Sequence, residues 1–238
     1  MPLRNILACL ALLAADACAR SAEEIIQGAR LSAALAHVDE GLNGNLRKGS
    51  LKVPVMLHLK QGLVQFQFSE NKGPWQVFLM RIEENKCKME DLTGGKRRPF
   101  PPGKLDAAVA GTDLAFEDLS MGFLYWPKPV IEGAEAVGGQ PCTKIRINKP
   151  AGTPGRYEVV YVWVHEKFGA LMRIRGHDRA GALIKEFQVE DVMQVGGNVW
   201  TLRKMQVASY DPAKGRRTSI TDLTFDVPNR KAGPRGLR

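Results

Sequence analysis

The chain has 238 residues, 44% of them hydrophobic and 25% charged, and a formal net charge of +9. This length suits one domain with a substantial core, and the composition excludes a chain that is disordered throughout.

At the N-terminus, Arg4 precedes the short apolar run "ILACLALLAADACA" (6–19), which ends in Ala17-Cys18-Ala19. This is the pattern of a secretory signal cleaved near Ala19, and it is shorter than the roughly 20 residues of a membrane span. The expected mature chain is exported and begins near Arg20. A lipoprotein anchored at Cys18 is the minor alternative, with Asp16 arguing against it. Removing 1–19 takes away one base and one acid and leaves Cys87 and Cys142, which suit either one disulfide or two separate buried thiols.

Ser21 and Glu24 form a capping box. A helix is expected from there to about Leu42, with the stripe Leu31, Leu35, Val38 and Leu42, stopped by Asn43-Gly44. The period then changes to two. "LKVPVMLHLK" (51–60) sets Val53, Val55 and Leu57 on one face, "LVQFQF" alternates Val64, Phe66 and Phe68 with glutamines, and "WQVFLMRIEE" contributes Phe78. A short strand with Cys87 and Met89 completes a hairpin-linked antiparallel meander. The loop "GGKRRPFPPGK" (94–104) leads into a helical segment from about Leu105 to Trp126, closed by Pro127 and Pro129. Seven further strands follow between Val130 and Val227, giving about ten or eleven in all. So many strands must curl or close, with helices over one mouth. The tail 229–238 is basic and rich in glycine and proline, and is read as flexible.

The sequence has no nucleophile elbow, phosphate loop, dinucleotide fingerprint or H-E-x-x-H, and its four histidines are scattered, so neither a metal nor a cofactor is expected. Asp113, Glu117 and Asp118 are the one local acid cluster. An acid pair sharing a proton would need Asp113 and Glu117 on one helical face. Thr112 or Asp113 capping a helix, with acids at its positive end, accounts for them more simply, and no catalytic role is assigned. The strand "YEVVYVWV" is apolar on both faces, with Val160 and Val162 on one of them. It is therefore covered on both sides or lines a greasy cavity, and Met172 adds a flexible side chain suited to such a lining. Alternation and the expected lid give candidate lipid-contacting residues Val53, Val55, Leu57, Phe66, Phe78, Phe116, Leu119, Phe123, Val160, Val162 and Met172. Lys96-Arg97-Arg98, Arg216-Arg217 and the 231–238 tail favour an anionic membrane surface over nucleic acid, for which no binding module is present.

"GTDLAFEDL" (111–119) and "YVWVHEKFGALMRIRGHDRAGALIKEFQVEDV" (161–192), with its Asp178–Gly181 turn and Lys185, resemble the LolA-like family of outer-membrane lipoprotein-sorting proteins. Thr218 to Val227 resembles that family's closing strand, and His165 stands where the family has an acid. The resemblance implies a mainly β (α+β) fold: a half-open antiparallel β-barrel, covered by an N-terminal helix and a central helical lid over 20–228. It also implies a monomeric carrier for the acyl chains of lipoproteins or related lipids, with an inner-membrane donor and an outer-membrane acceptor. A protein of the same fold with a filled core that binds a protein partner is the alternative. In the family's carrier an arginine holds the lid, and no residue here maps onto it from sequence.

Overall fold

The computed structural model describes residues 20–35, 38–60, 63–83, 86–195 and 200–228. The signal-like segment 1–19 and the basic tail 229–238 lie outside them.

Ser21 caps α1 (Ala22–Leu35) as expected: its Oγ accepts the Glu24 N–H, and Glu24 Oε2 accepts the Ser21 N–H at 2.7 Å. The helix is shorter than the sequence pattern suggests, because residues from Val38 on form a strand. Among the described residues, thirteen antiparallel strands rather than ten or eleven make one sheet. They are β1 (Val38–Lys48), β2 (Leu51–Lys60), β3 (Leu63–Ser69), β4 (Trp75–Glu83), β5 (Lys86–Asp91), β6 (Arg98–Pro99), β7 (Val130–Val137), β8 (Gln140–Asn148), β9 (Val159–His165), β10 (Leu171–His177), β11 (Leu183–Gln194), β12 (Trp200–Asp211) and β13 (Arg216–Phe225). The two that sequence missed are β1 and the two-residue β6. In β1, Leu42, Gly44 and Leu46 alternate inward, all buried. Gly44 is a strand residue and not a helix stop: a Cβ there would lie 2.4 Å from the Thr224 carbonyl oxygen and 2.7 Å from the Phe225 ring. Its missing side chain lets β13 close against β1.

The strand order is β6-β5-β4-β3-β2-β1-β13-β12-β11-β10-β9-β8-β7, so the sheet is open, with β6 and β7 as its two edges. The chain between those edges, 100–129, crosses the concave side. Cross-strand register builds an unbroken inner row from Ile145 through Val162, Ile174, Phe187 and Val207 to Thr221. The neighbouring row starts apolar at Ile147 and Val160, then runs through Gly176 to Lys185, Ser209 and Ser219. The inner face therefore turns polar along β11, β12 and β13. α1 lays Ile25, Ile26 and Ala29 into the concavity, against β2 and β9.

The crossing segment is not the continuous helix that its composition suggests. Only α2 (Phe116–Ser120) is α-helical, flanked by 3₁₀ turns at Pro102–Lys104 and Gly122–Tyr125. Positive φ angles at Ala110, Gly111 and Met121 break the helical path. The Val109 N–H donates to the Leu114 carbonyl, folding 109–114 into a buried loop.

Candidate functional site

Asp113, Glu117 and Asp118 are buried and not solvated, which corrects the capping explanation for Asp113. α2 starts after Ala115, so neither Thr112 nor Asp113 is its cap. Asp113 docks on the polar patch of the inner face. Its Oδ1 accepts hydrogen bonds from Ser209 Oγ at 2.8 Å, Ser219 Oγ at 2.5 Å and Lys48 Nζ at 3.2 Å. Its Oδ2 accepts from Thr221 Oγ1 at 2.9 Å, and Thr221 Oγ1 accepts the Asp113 N–H at 2.8 Å. Burial alone would raise the pKa of this carboxyl, but the bonds from Ser219, Ser209, Thr221 and Lys48 outweigh it and hold it below the ordinary aspartate value.

Asp118 is the second anchor. Its Oδ2 accepts the Ala115 N–H at 2.7 Å, and its Oδ1 accepts Tyr157 OH at 2.5 Å. Tyr157 is 1% exposed and fits because residue 176 is glycine: a Cβ there would sit 2.3 Å from the Tyr157 ring. Buried Lys185 donates to the Asp113 carbonyl and to Ser209 Oγ, and lies 3.9 Å from Asp118. Burial raises the pKa of Asp118, against the pull of Lys185, and lowers that of Lys185. Glu117 points elsewhere: its Oε2 accepts the Arg156 N–H at 3.1 Å, and burial raises its pKa. Asp113 and Asp118 are joined through Lys185, while the Glu117 carboxylate turns to the Arg156 backbone. Asp113 and Glu117 share no proton.

The other side of the crossing segment is apolar. Phe116 packs on Phe78 and Phe100, with ring centroids 4.9 and 4.8 Å away, and Phe78 stacks on Phe68 at 5.7 Å. Beside this cluster a cleft of about 410 Å³ opens between β5, the segment 100–126 and the 150–154 loop. Its apolar walls include Met89, Phe100, Leu105, Phe123, Tyr125 and Trp126, with Lys86, Glu117, Ser120 and Thr153 as polar points. Arg30 of α1 reaches the same region. Its Nη2 donates to the Leu124 carbonyl, its guanidinium carbon lies 4.5 Å from the Tyr125 ring centroid, and its Nε is buried without a hydrogen-bond partner. An arginine therefore does hold the crossing segment, although no motif marks it in the sequence.

Of the candidate lipid-contacting residues, Val53, Val55, Phe66, Phe78, Phe123, Val160 and Val162 are buried in one cluster, with Leu57, Phe116 and Leu119 packed against it. Only Phe123 among them lines the cleft. The others fill the core against the concave face of the sheet. Met172 is misplaced by the sequence pattern: it packs with Val137, Cys142 and Trp163 in a second cluster. Trp163 alternates with Val162 and Val164, which face the main core, so this second cluster lies on the outer face of the sheet. Sequence reasoning missed Phe100, in a Pro/Gly-rich loop where neither strand nor helix periodicity applies, and Leu105, at the start of the expected helical segment. Cys87 and Cys142 are free thiols and form no disulfide. Cys87 packs against the main core, where burial pushes its pKa up to about 12, whereas Cys142 belongs to the outer-face cluster. His165 takes the part an acid could play. Its Nδ1 accepts the N–H groups of Lys167 and Phe168 at 3.1 and 3.3 Å, and its Nε2 lies 3.3 Å from Gln140 Oε1.

Residues 95–231, which include the crossing segment and β7–β13, match a protein-family model described as "Uncharacterized protein". A comparison with curated proteins gives no match. Three solved structures share the fold. A putative outer-membrane lipoprotein-sorting protein domain from Vibrio parahaemolyticus aligns with a TM-score of 0.64 at 15% identity, over 86% of this chain and 89% of that one. A LolA superfamily protein from Nitrosomonas europaea gives 0.60 at 12%, over 87% and 92%. A DUF1329 family protein from Desulfovibrio piger gives 0.59 at 17%, over 85% and 91%. The chain thus belongs to the family of uncharacterized proteins described by that model, and it is built on the fold of the outer-membrane lipoprotein-sorting proteins.

Proposed function

We propose that this protein is a non-catalytic carrier of the cell envelope that takes acyl chains of lipoproteins or related lipids into the cleft under its crossing segment. In this reading the 1–19 segment exports it to the periplasm, and residues 20–228 form the binding domain. Donor and acceptor sites at the inner and outer membranes load and unload it. The observation behind the proposal is the cleft itself. Its volume of about 410 Å³ falls in the range of small-ligand sites. Its aromatic lining continues through Phe100 and Phe116 into the Phe78–Phe68 stack. Each acyl CH₂ buried there gains about 0.8 kcal/mol, so holding is a matter of area. Release needs only a site of greater apolar affinity.

Extraction of the mature protein purified from the periplasm, followed by mass spectrometry, should recover acyl lipid. Thr153→Trp, which fills the cleft from its loop wall, should reduce that yield severalfold. No bound lipid, together with no uptake of a fluorescent fatty acid by the wild type, rejects the carrier. One observation favours a second reading, a partner-binding protein with a solid core: Val55, Phe66, Phe78, Val160 and Val162 already occupy the interior. A crystal structure with lipid in the cleft decides against it.

A further inference from the structure

The antiparallel order places the β3–β4, β5–β6, β10–β11 and β12–β13 turns at one end of the sheet, together with the start of β7. Exposed bases crowd these turns: Lys72, Lys96, Arg98, Arg179, Arg216 and Arg217. None of them has an ion-pair partner among the described residues. The acids beside them are turned to backbone donors of their own turns. Asp178 Oδ1 accepts the Ala180 and Ala182 N–H groups, both at 2.9 Å, and Asp91 Oδ1 accepts the Thr93 N–H at 2.7 Å. Asp211, the register partner of Arg216, accepts the Ala213 and Lys214 N–H groups at 2.9 and 3.2 Å and pairs with Lys214 at 3.7 Å. Glu70 is the exposed acid that remains in these turns.

The opposite end differs in charge. Most bases there are matched: Arg203 with Asp191 at 2.8 Å, Lys204 with Glu190 at 2.7 Å and Lys86 with Glu83 at 3.9 Å. Exposed apolar side chains occur at both ends, Phe168 and Trp200 at the matched one, and Trp75, Val130 and Ile131, all just over 40% exposed, at the basic one. Charge is therefore what tells the two ends apart. Trp75 closely follows the turn that carries Lys72, and an indole beside exposed bases is the composition of a membrane-interface anchor. Apolar insertion and a basic cluster are two signals, and one alone holds a membrane only marginally.

We propose that this basic end docks on an anionic lipid bilayer, with Trp75 entering the interface and the exposed bases on the head groups. The β8–β9 loop lies at the same end, and its Pro150, Thr153 and Pro154 line the cleft, so docking brings one wall of the cleft to the lipid. The docking goes beyond the carrier function and holds whatever the cleft contains.

Sedimentation of the chain from Arg20 onward with vesicles tests it. The wild type should pellet with phosphatidylethanolamine vesicles containing phosphatidylglycerol, less so as salt rises, and stay in solution with phosphatidylcholine alone. Lys96→Gln/Arg98→Gln/Arg216→Gln/Arg217→Gln should weaken binding about tenfold or more, and Trp75→Ser should weaken it severalfold. Arg98→Lys/Arg216→Lys/Arg217→Lys should bind as the wild type does, because a bilayer surface reads charge and not the guanidinium fork. Phe168→Ser/Trp200→Ser, at the opposite end, should leave binding unchanged, with circular dichroism confirming that each variant is folded. Failure of the wild type to pellet with the anionic vesicles overturns the proposal, as does full binding by the glutamine variant or an equal loss in Phe168→Ser/Trp200→Ser. Loss in the lysine variant, or pelleting only with membranes that retain their native proteins, also overturns it and would make this end a protein-docking surface.

Discussion

The crossing segment is held in two different ways along its length. Residues 109–118 are fastened by buried polar contacts: Asp113 to β12 and β13, Asp118 to Tyr157, and Lys185 to the Asp113 backbone. Residues 119–126 have no such set. They lie on apolar side chains and are gripped from α1 by Arg30. Buried polar networks are directional and cooperative, and releasing one strands several groups at once. Apolar contact has little direction and can be exchanged for contact with another apolar group. One half is a foundation, and the other is the part freer to shift.

The difference can be tested by variants, taken here from the largest expected effect. Asp113→Ala strands three hydroxyls and a lysine, and should cost about 3–5 kcal/mol of global stability, read by urea unfolding. An unchanged midpoint would mean that the 109–118 half is not a foundation. Tyr157→Phe leaves Asp118 without its hydroxyl donor and should cost about 1–3 kcal/mol in the same assay. Arg30→Met should move the urea midpoint by less than about 1 kcal/mol and raise amide exchange at Leu124, Tyr125 and Trp126 about tenfold. Equal loosening of 109–118 in that variant would erase the distinction. Smallest is Glu117→Gln. A carboxyl whose folded pKa is raised costs stability as pH rises from its unfolded value, about 4.3, through the folded one. The glutamine variant should therefore lose that decline and be as stable as the wild type, or more so, at neutral pH, by no more than about 1 kcal/mol. Unfolding curves recorded across acidic to neutral pH check this.

Much of the fold could be read from the chain. Period-two alternation located eleven of the strands, with β8–β13 close to their ends. β1 was lost because Leu31, Leu35, Val38 and Leu42 happen to keep helical spacing across a helix-to-strand boundary, and β6 because two residues carry no period. The motif GTDLAFEDL marks the right place with the wrong chemistry. Its acids have a structural role, and their partners Tyr157, Lys185, Ser209, Ser219 and Thr221 come from four strands or strand ends. Lys185 and the closing strand, which the family resemblance picks out separately, meet Asp113 in space. The cleft was the least legible feature, since its walls come from β5, the crossing segment and the 150–154 loop, which no single sequence period links.

The segment that covers the concave face is also the covalent link between edge strands β6 and β7. A cover tied at both ends cannot leave; when displaced it becomes a loop of 30 residues, 100–129, counted along the chain. Lengthening such a loop adds little closure entropy, about 0.6 kcal/mol per doubling, and its ends stay close enough for an effective concentration on the order of millimolar. In the proposed carrier, re-covering after unloading would then be an intramolecular event. A bound acyl chain would have to outcompete that return, which would set a floor on the affinity a cargo needs in order to stay.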